Sequence, residues 1–484
     1  MRGRRRGRYE FPVRLPAVIV AAVTIIAVTA LACAGCSDPL AGSEGIGDPY
    51  FPSAGNGGYD ALRYEIALTV DPRSDALSGS ATIDAQALQA LDSFNLDLVG
   101  LEVEGVTVDG RPAEFERDGQ ELTVICPERL EAGETFSTQV DYSGIPDSPD
   151  HSGAFSVGWH RVDDTIYTLD EPQGAATWFP VNDHPSDKAS YVFRITVPRP
   201  YVAAASGVLV KTEAGETDQT FVWEMQEPLA SYLATVAIGE YELEEDTAPN
   251  GVAIRNYFAP PLAEAAGDAF ARTGELLAFY AELFGPYPFE VYGVVVPDVD
   301  TGAAMENQTL SLFGRDVLTS RLSDPVVGEI YISHELAHQW FGNSVTIAAW
   351  EDIWLNEGFA TYASWLWLEH DRGREVLDGM VTESQSLLGD SDHRPPGDPG
   401  VDDLFGVSVY RRGALTLHAL RLTVGDDVFF DILREWEARY RHGNARTEDF
   451  IALAEEKAPS SMKAELDGLF EVWLYGDGLP ELPE

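Results

Sequence analysis

The chain has 484 residues, of which 45 % are hydrophobic, 11 % aromatic and 23 % charged, a globular composition that excludes a disordered polymer, a collagen-like fibre and a coiled-coil filament. Its 32 Lys and Arg face 80 Asp and Glu for a formal net charge of −48, which repels nucleic acid and anionic lipid. The length is enough for two to four domains, each with its own core.

The first 35 residues differ from the rest. Arg2, Arg4, Arg5, Arg6, Arg8 and Arg14 precede an uncharged apolar run from Leu15 to Leu31, and the small residues of LACAGC follow. A basic head, an apolar middle and a small-residue exit predict a secretory signal over 1–35. Ala34-Gly35-Cys36 resembles a bacterial lipobox, which makes Cys36 the expected lipidated residue of an extracytoplasmic membrane lipoprotein. Cys33 is a second candidate, and an uncleaved anchor is the alternative, since the run sits near the lower limit for a membrane span. With Cys36 lipidated and Cys33 removed, Cys126 stands alone, so no internal disulfide is expected.

Residues 36–57, rich in Gly, Ser and Asp, are expected to be a flexible linker. From 58 to 245 apolar residues alternate, as in Leu62, Tyr64, Ile66, Leu68 and Val70, or Tyr191, Phe193, Ile195 and Val197. Such period-two runs between turn clusters predict an antiparallel β domain. Residues 246–484 have another texture. Leu262 to Phe284 predicts a helix stopped at Gly285-Pro286, and Val291 to Val296 a strand ended by Pro297. Further helices are expected around 325–342, 354–370, 410–424 and 445–457. The fold class is therefore α+β, a β domain followed by a mostly helical one.

His334-Glu335-Leu336-Ala337-His338 falls within a helical stretch. Residues four apart share a helix face, so both imidazoles can reach one metal while Glu335 stands beside it as a proton acceptor. Glu357, in WLNEGFATY, supplies the carboxylate that completes a three-ligand hydrolytic zinc site. The remaining histidines (His151, His160, His184, His370, His393, His418 and His442) have no ligand-spaced partner, and most of them are expected at the surface or at caps. Trp340, Trp350, Trp354, Trp365 and Trp367 are expected to pack around the site helices.

HELAHQWFGN followed by WLNEGFA resembles the aminopeptidase N-like family of zinc metallopeptidases, a branch of the gluzincins, in a short two-domain bacterial form. Ala303-Ala304-Met305-Glu306-Asn307 is similar to that family's GAMEN motif, with Ala303 in place of glycine. Val409-Tyr410-Arg411-Arg412-Gly413 is similar to its tyrosine motif, with Arg412 in place of lysine. LFGPYPF at 283–289, Glu171-Pro172 and the terminal WLYGDGLP also fit. The resemblance implies a thermolysin-like catalytic domain with one zinc on His334, His338 and Glu357.

It also implies Glu335 as general base and Tyr410 as the donor that stabilises the oxyanion. Ala303, Ala304, Glu306 and Glu171 are implied to bind substrate, the two carboxylates holding the free N-terminal amine of a peptide. Membrane contact is expected only through the N-terminal segment. Two other readings are weighed against an aminopeptidase. One is a thermolysin-like endopeptidase, which has no use for ammonium-binding carboxylates; the other is a non-catalytic peptide-binding lipoprotein. Asp352, Asn356 and Thr361 are nearby candidates for orienting the zinc ligands.

Overall fold

The computed structural model describes residues 40–146, 150–151, 155–389 and 393–483. The signal segment, Cys33 and Cys36 lie outside them. Among the described residues no helix is long and apolar enough to cross a membrane.

Alternation does produce the β half. In Tyr59–Val70 the side chains of Tyr64, Ile66, Leu68 and Val70 are buried. Leu62 breaks the expected pattern and is 44 % exposed, because a bulge between Ala61 and Arg63 shifts the register by one residue. This strand is central in an eight-stranded sheet. It pairs antiparallel with Leu77–Ala87 and parallel with Lys188–Pro198, so the expected all-antiparallel domain contains one parallel pair. The parallel register sets Tyr64 opposite Tyr191, their rings stacked 4.8 Å apart. A three-stranded sheet built on Leu91–Asp97 packs Phe94 against Tyr59 and Phe136. A four-stranded sheet contains Thr165–Leu169, and Glu171 follows two residues after that strand ends.

The second half opens with a six-stranded sheet whose first strand, Glu242–Thr247, straddles the boundary expected at 245/246. Its ladder partner is Ala253–Phe258, within the catalytic half. The strand expected at Val291 to Val296 is divided into Val291–Tyr292 and Val294–Val296. Gly293 explains the division: a Cβ there would lie 1.7 Å from the Arg255 carbonyl oxygen. The edge strand of this sheet is Ala304–Met305, paired with Ser311–Phe313.

The helices are Ala263–Phe270, Thr273–Phe284, Pro325–Ala337, Trp354–Arg372, Arg374–Gly389, Gly413–Val424, Asp426–Tyr440, Thr447–Lys457 and Lys463–Phe470 among the described residues. The helix expected over 262–284 is interrupted at Ala271-Arg272, and three helices, Arg374–Gly389, Asp426–Tyr440 and Lys463–Phe470, lie outside the expected ranges. All five tryptophans named above are buried.

Residues 40–57 are not a free tether. Asp48, 4 % exposed, accepts hydrogen bonds from the backbone of Tyr50, Phe51 and Trp350 and meets His184 Nε2 at 3.1 Å. A carboxylate with that many partners fixes the segment to both halves of the molecule. His184 and His418 are likewise corrected from surface to interior, at 2 % and 3 % exposure.

Candidate active site

The helix Pro325–Ala337 begins where its sequence says it should. Asp324 caps it by accepting from Val326 N and Val327 N, and Pro325 occupies the first turn. Its last turn carries His334 and Glu335, and His338 is the cap residue at its end. Glu357 sits in the first turn of Trp354–Arg372. His334 Nε2 lies 3.1 Å from His338 Nε2 and 3.1 Å from a Glu357 oxygen, which is 3.5 Å from His338 Nε2. The other nitrogen of His338, Nδ1, is 3.1 Å from the Phe341 carbonyl oxygen. In the neutral ring that hydrogen bond holds the proton on Nδ1, which leaves the Nε2 lone pair for a cation.

Asp352, Asn356 and Thr361 do other work. Asp352 binds Thr447 and Arg446, Asn356 donates to the Tyr232 hydroxyl, and Thr361 lines the cavity.

Electrostatics show what the cluster lacks. Burial alone would raise Glu357, but His338 and His334 hold it at about 2. Burial would lower His338, yet Glu306 and Glu357 push it up to about 10. Burial raises Glu335 and Glu171 well above the usual carboxylate range, with neighbouring carboxylates adding to the effect in both. Four glutamates in one cavity therefore want positive charge, and two imidazoles and a carboxylate converge where a divalent cation fits.

The cavity has a volume of about 530 Å³ and is lined by His334, His338, Glu357, Glu335, Tyr410, Glu171 and Ala303 to Glu306, among others. Oxygen atoms of Glu171, Glu306 and Glu357 lie within 4.8 Å of one another. Glu171 Oε1 and Glu306 Oε1 are buried without a hydrogen-bond partner among the described residues. Glu306 is held in place by its backbone: its carbonyl oxygen accepts from Gln339 Nε2 at 3.0 Å and from Asn343 Nδ2 at 2.8 Å. Gln339 Oε1 in turn accepts from Thr309 N. Ala303 and Ala304 line the same space, Ala304 on the sheet's edge strand.

Tyr410 rides on a π-helical turn, Ser408–Arg412, with its ring stacked 5.9 Å from that of His334. Burial and the glutamates Glu357, Glu171, Glu306 and Glu335 raise its pKa far above 10, so the hydroxyl keeps its proton. Two glycines bring it this close. A Cβ on Gly358 would lie 2.9 Å from backbone atoms of Gly413, and one on Gly413 would lie 2.9 Å from Gly358 Cα. The helix carrying Glu357 crosses there over Gly413, the first residue of the helix that continues the Tyr410 turn. Arg412 faces away from the cavity and donates to the carbonyls of Trp473, Val472 and Gly476.

The sequence matches the Peptidase family M1 domain over residues 269–473 and the Peptidase M1 N-terminal domain over residues 60–233. An M1 zinc metallopeptidase from Deinococcus radiodurans, solved as a mutant bound to a Tyr-Ser-Ala substrate, is 32 % identical; the match covers 91 % of this chain and 99 % of that one, with a TM-score of 0.83. The chain belongs to peptidase family M1. A two-domain M1 zinc metallopeptidase mutant bound to L-arginine is 33 % identical, covered over 99 % of its length and 91 % of this chain, at a TM-score of 0.82. Aminopeptidase M1-B of Oryza sativa subsp. japonica is 28 % identical over 87 % of this chain and 50 % of its own length. Aminopeptidase B of Rattus norvegicus is 28 % identical over 84 % and 67 %, respectively. The chain thus spans about half the length of the plant relative it matches.

In this M1 chain the sequence reading missed Gln339, Asn343, Gly358 and Gly413. All four stand inside the quoted motifs. The signal was present, but only the three-dimensional contact reveals that they position other residues.

Proposed function

We propose that the chain is a zinc-dependent aminopeptidase that removes residues from the free N-terminus of peptides. The observation that carries this is the pair Glu171 and Glu306, two buried carboxylates with unpartnered oxygens beside the His334, His338 and Glu357 cluster. A cationic ammonium has three donors and satisfies both. Held there, a peptide presents its first bond to the metal cluster and no later one. The names of the similar structures, which specify zinc, a tripeptide substrate and an amino acid, support the same reading.

His334, His338 and Glu357 are the residues that would hold the metal. Zinc, when bound, would acidify a water and polarise the scissile carbonyl. Glu335 takes the proton from the attacking water and returns it to the leaving amine. Tyr410, protonated at any working pH, donates its hydroxyl hydrogen to the substrate oxygen as charge develops there. The edge strand Ala304–Met305 offers backbone groups along which an extended substrate can align. Ala303 narrows that approach by one methyl while leaving its backbone groups in place. Export and lipidation at Cys36 complete the proposal and rest on the order of residues in 1–36.

A panel of aminoacyl fluorogenic amides tests it, with purified protein before and after chelator. Chelator-sensitive release of the fluorophore supports the reading; no release from any member, or release that chelator leaves untouched, contradicts it.

A further inference from the structure

The cavity is electrically asymmetric along the helix Pro325–Ala337. Tyr331, His334 and His338 follow one another up one face at spacings of three and four residues. Glu306 lies toward the His338 end, its carbonyl oxygen accepting from Gln339 Nε2 and Asn343 Nδ2, one and five residues beyond that histidine. The lining also holds Arg321, Arg411 and Asp316, the last with its two oxygens accepting from Thr301 N and Gly302 N. Arg411 directly follows Tyr410, whose ring stacks 5.9 Å from that of His334. The Arg321 guanidinium carbon sits 5.8 Å from the Tyr331 ring centroid. Both arginines line the cavity, and neither has a carboxylate partner among the described residues.

That is unusual in this chain. Acidic residues outnumber basic ones 80 to 32, and most other arginines at the surface find a carboxylate, as Arg272, Arg315, Arg372, Arg374 and Arg439 do. From His338 to Tyr331 is seven residues of helix, about 10 Å at 1.5 Å per residue. An extended peptide covers the same distance in about three residues.

We propose that Arg321 and Arg411 form an anion subsite for a substrate carboxylate carried two or three residues beyond the free amine. The carboxylate is either the C-terminus of a short peptide or an acidic side chain on the leaving side of the cut. A guanidinium is the group best shaped for it, with paired donors matching both oxygens. Because this rests on the aminopeptidase reading for its orientation, the test must separate the two.

The full-length metal-loaded protein carrying Glu335→Gln serves for binding without turnover. Calorimetry compares Ala-Ala-Ala as free acid, the same peptide as C-terminal amide, and Ala-Glu-Ala amide. The free acid, the glutamyl amide or both should bind at least about fivefold tighter than the Ala-Ala-Ala amide, the members that do identifying the carboxylate's source. Adding Arg321→Gln and Arg411→Gln should bring the ratio to about one, and Arg321→Lys with Arg411→Lys should restore part of it, which a merely structural role would not do. Equal affinity for all three peptides, or a preference that survives both glutamine substitutions, overturns the subsite. Hydrolysis of alanine anilide, which has no carboxylate, reports on the aminopeptidase reading alone. If wild type fails to cleave it, that reading falls while the acid-to-amide ratio still decides the arginines.

Discussion

Glu335 and Tyr410 occupy the same cavity, yet their removal should look different. Glu335→Gln keeps the shape and all three metal-binding side chains but removes the proton acceptor. Turnover should fall by orders of magnitude while metal content, read by atomic emission, stays near one equivalent. Tyr410→Phe deletes one donor needed chiefly as charge develops, so kcat should drop well beyond any rise in KM. Full kcat in that variant would remove Tyr410 from the mechanism. His418, away from the site, makes a prediction about stability. It is buried, its Nδ1 is 3.1 Å from the Tyr362 hydroxyl, and burial lowers its pKa from 6.5 to about 4. The native state then binds fewer protons than the unfolded chain between these values, so this contribution is intact above pH 6.5 and is lost as pH falls toward 4. The loss is on the order of 3 kcal/mol. Tm measured from pH 7 to 4 should fall less steeply in His418→Gln, which still accepts from Tyr362 but does not titrate.

Among the elements, the crossing of Trp354–Arg372 over Gly413 sets the distance between Glu357 and Tyr410. Gly413→Ala inserts a methyl where only 2.9 Å is available, and overpacking of this kind costs roughly 1–3 kcal/mol. The helices must part, so both Tm and kcat should fall, with metal content little changed; a variant with normal kcat would mean that the crossing does not position Tyr410. The contrast between these glycines and the HELAH helix shows what a sequence can disclose. An N-cap, a proline at the first turn and two histidines four apart are local facts, legible from Asp324, Pro325, His334 and His338. That Gly358 must be bare because Gly413 passes over it is a relation between residues 55 apart in the chain, and no local pattern records it. Arg412 is similar: it stands beside the tyrosine of a site motif, but its guanidinium ties that turn to the carbonyls of Trp473, Val472 and Gly476.

Across the whole molecule, composition and alternation announced two halves but not how closely they join. Residues 40–57 have the small polar residues of a tether, yet Asp48 and Phe51 dock on Trp350 of the catalytic half. The buried Lys188 of the β half donates to the carbonyls of Asn343 and Ser344, three and two residues before Thr346 begins to pair with Asn444. Contacts over such spans depend on topology, and periodicity carries no topology. The same joining brings Glu171 of the first half to Glu306 of the second. Burial with neighbouring carboxylates disfavours the charged forms of Glu335 and Glu171, and a bound cation would offset that cost. Stripping the metal should therefore lower Tm by several degrees, while far-ultraviolet circular dichroism of the β half stays intact at 25 °C. An unchanged Tm would show that the cluster binds no metal in the folded protein.

The central claim is that Glu171 and Glu306 hold a free ammonium and so restrict cleavage to the first peptide bond. It is tested most directly by kcat/KM for a matched pair of peptides, one with a free N-terminus and one acetylated, on wild type and on Glu306→Ala. Truncating one partner of a buried ammonium–carboxylate contact costs roughly 2–5 kcal/mol. Wild type should therefore prefer the free peptide by at least about thirtyfold, and Glu306→Ala should lose most of its activity on that peptide and most of the preference. Comparable cleavage of both peptides by wild type, above all at an internal bond, would contradict the account and make the protein an endopeptidase.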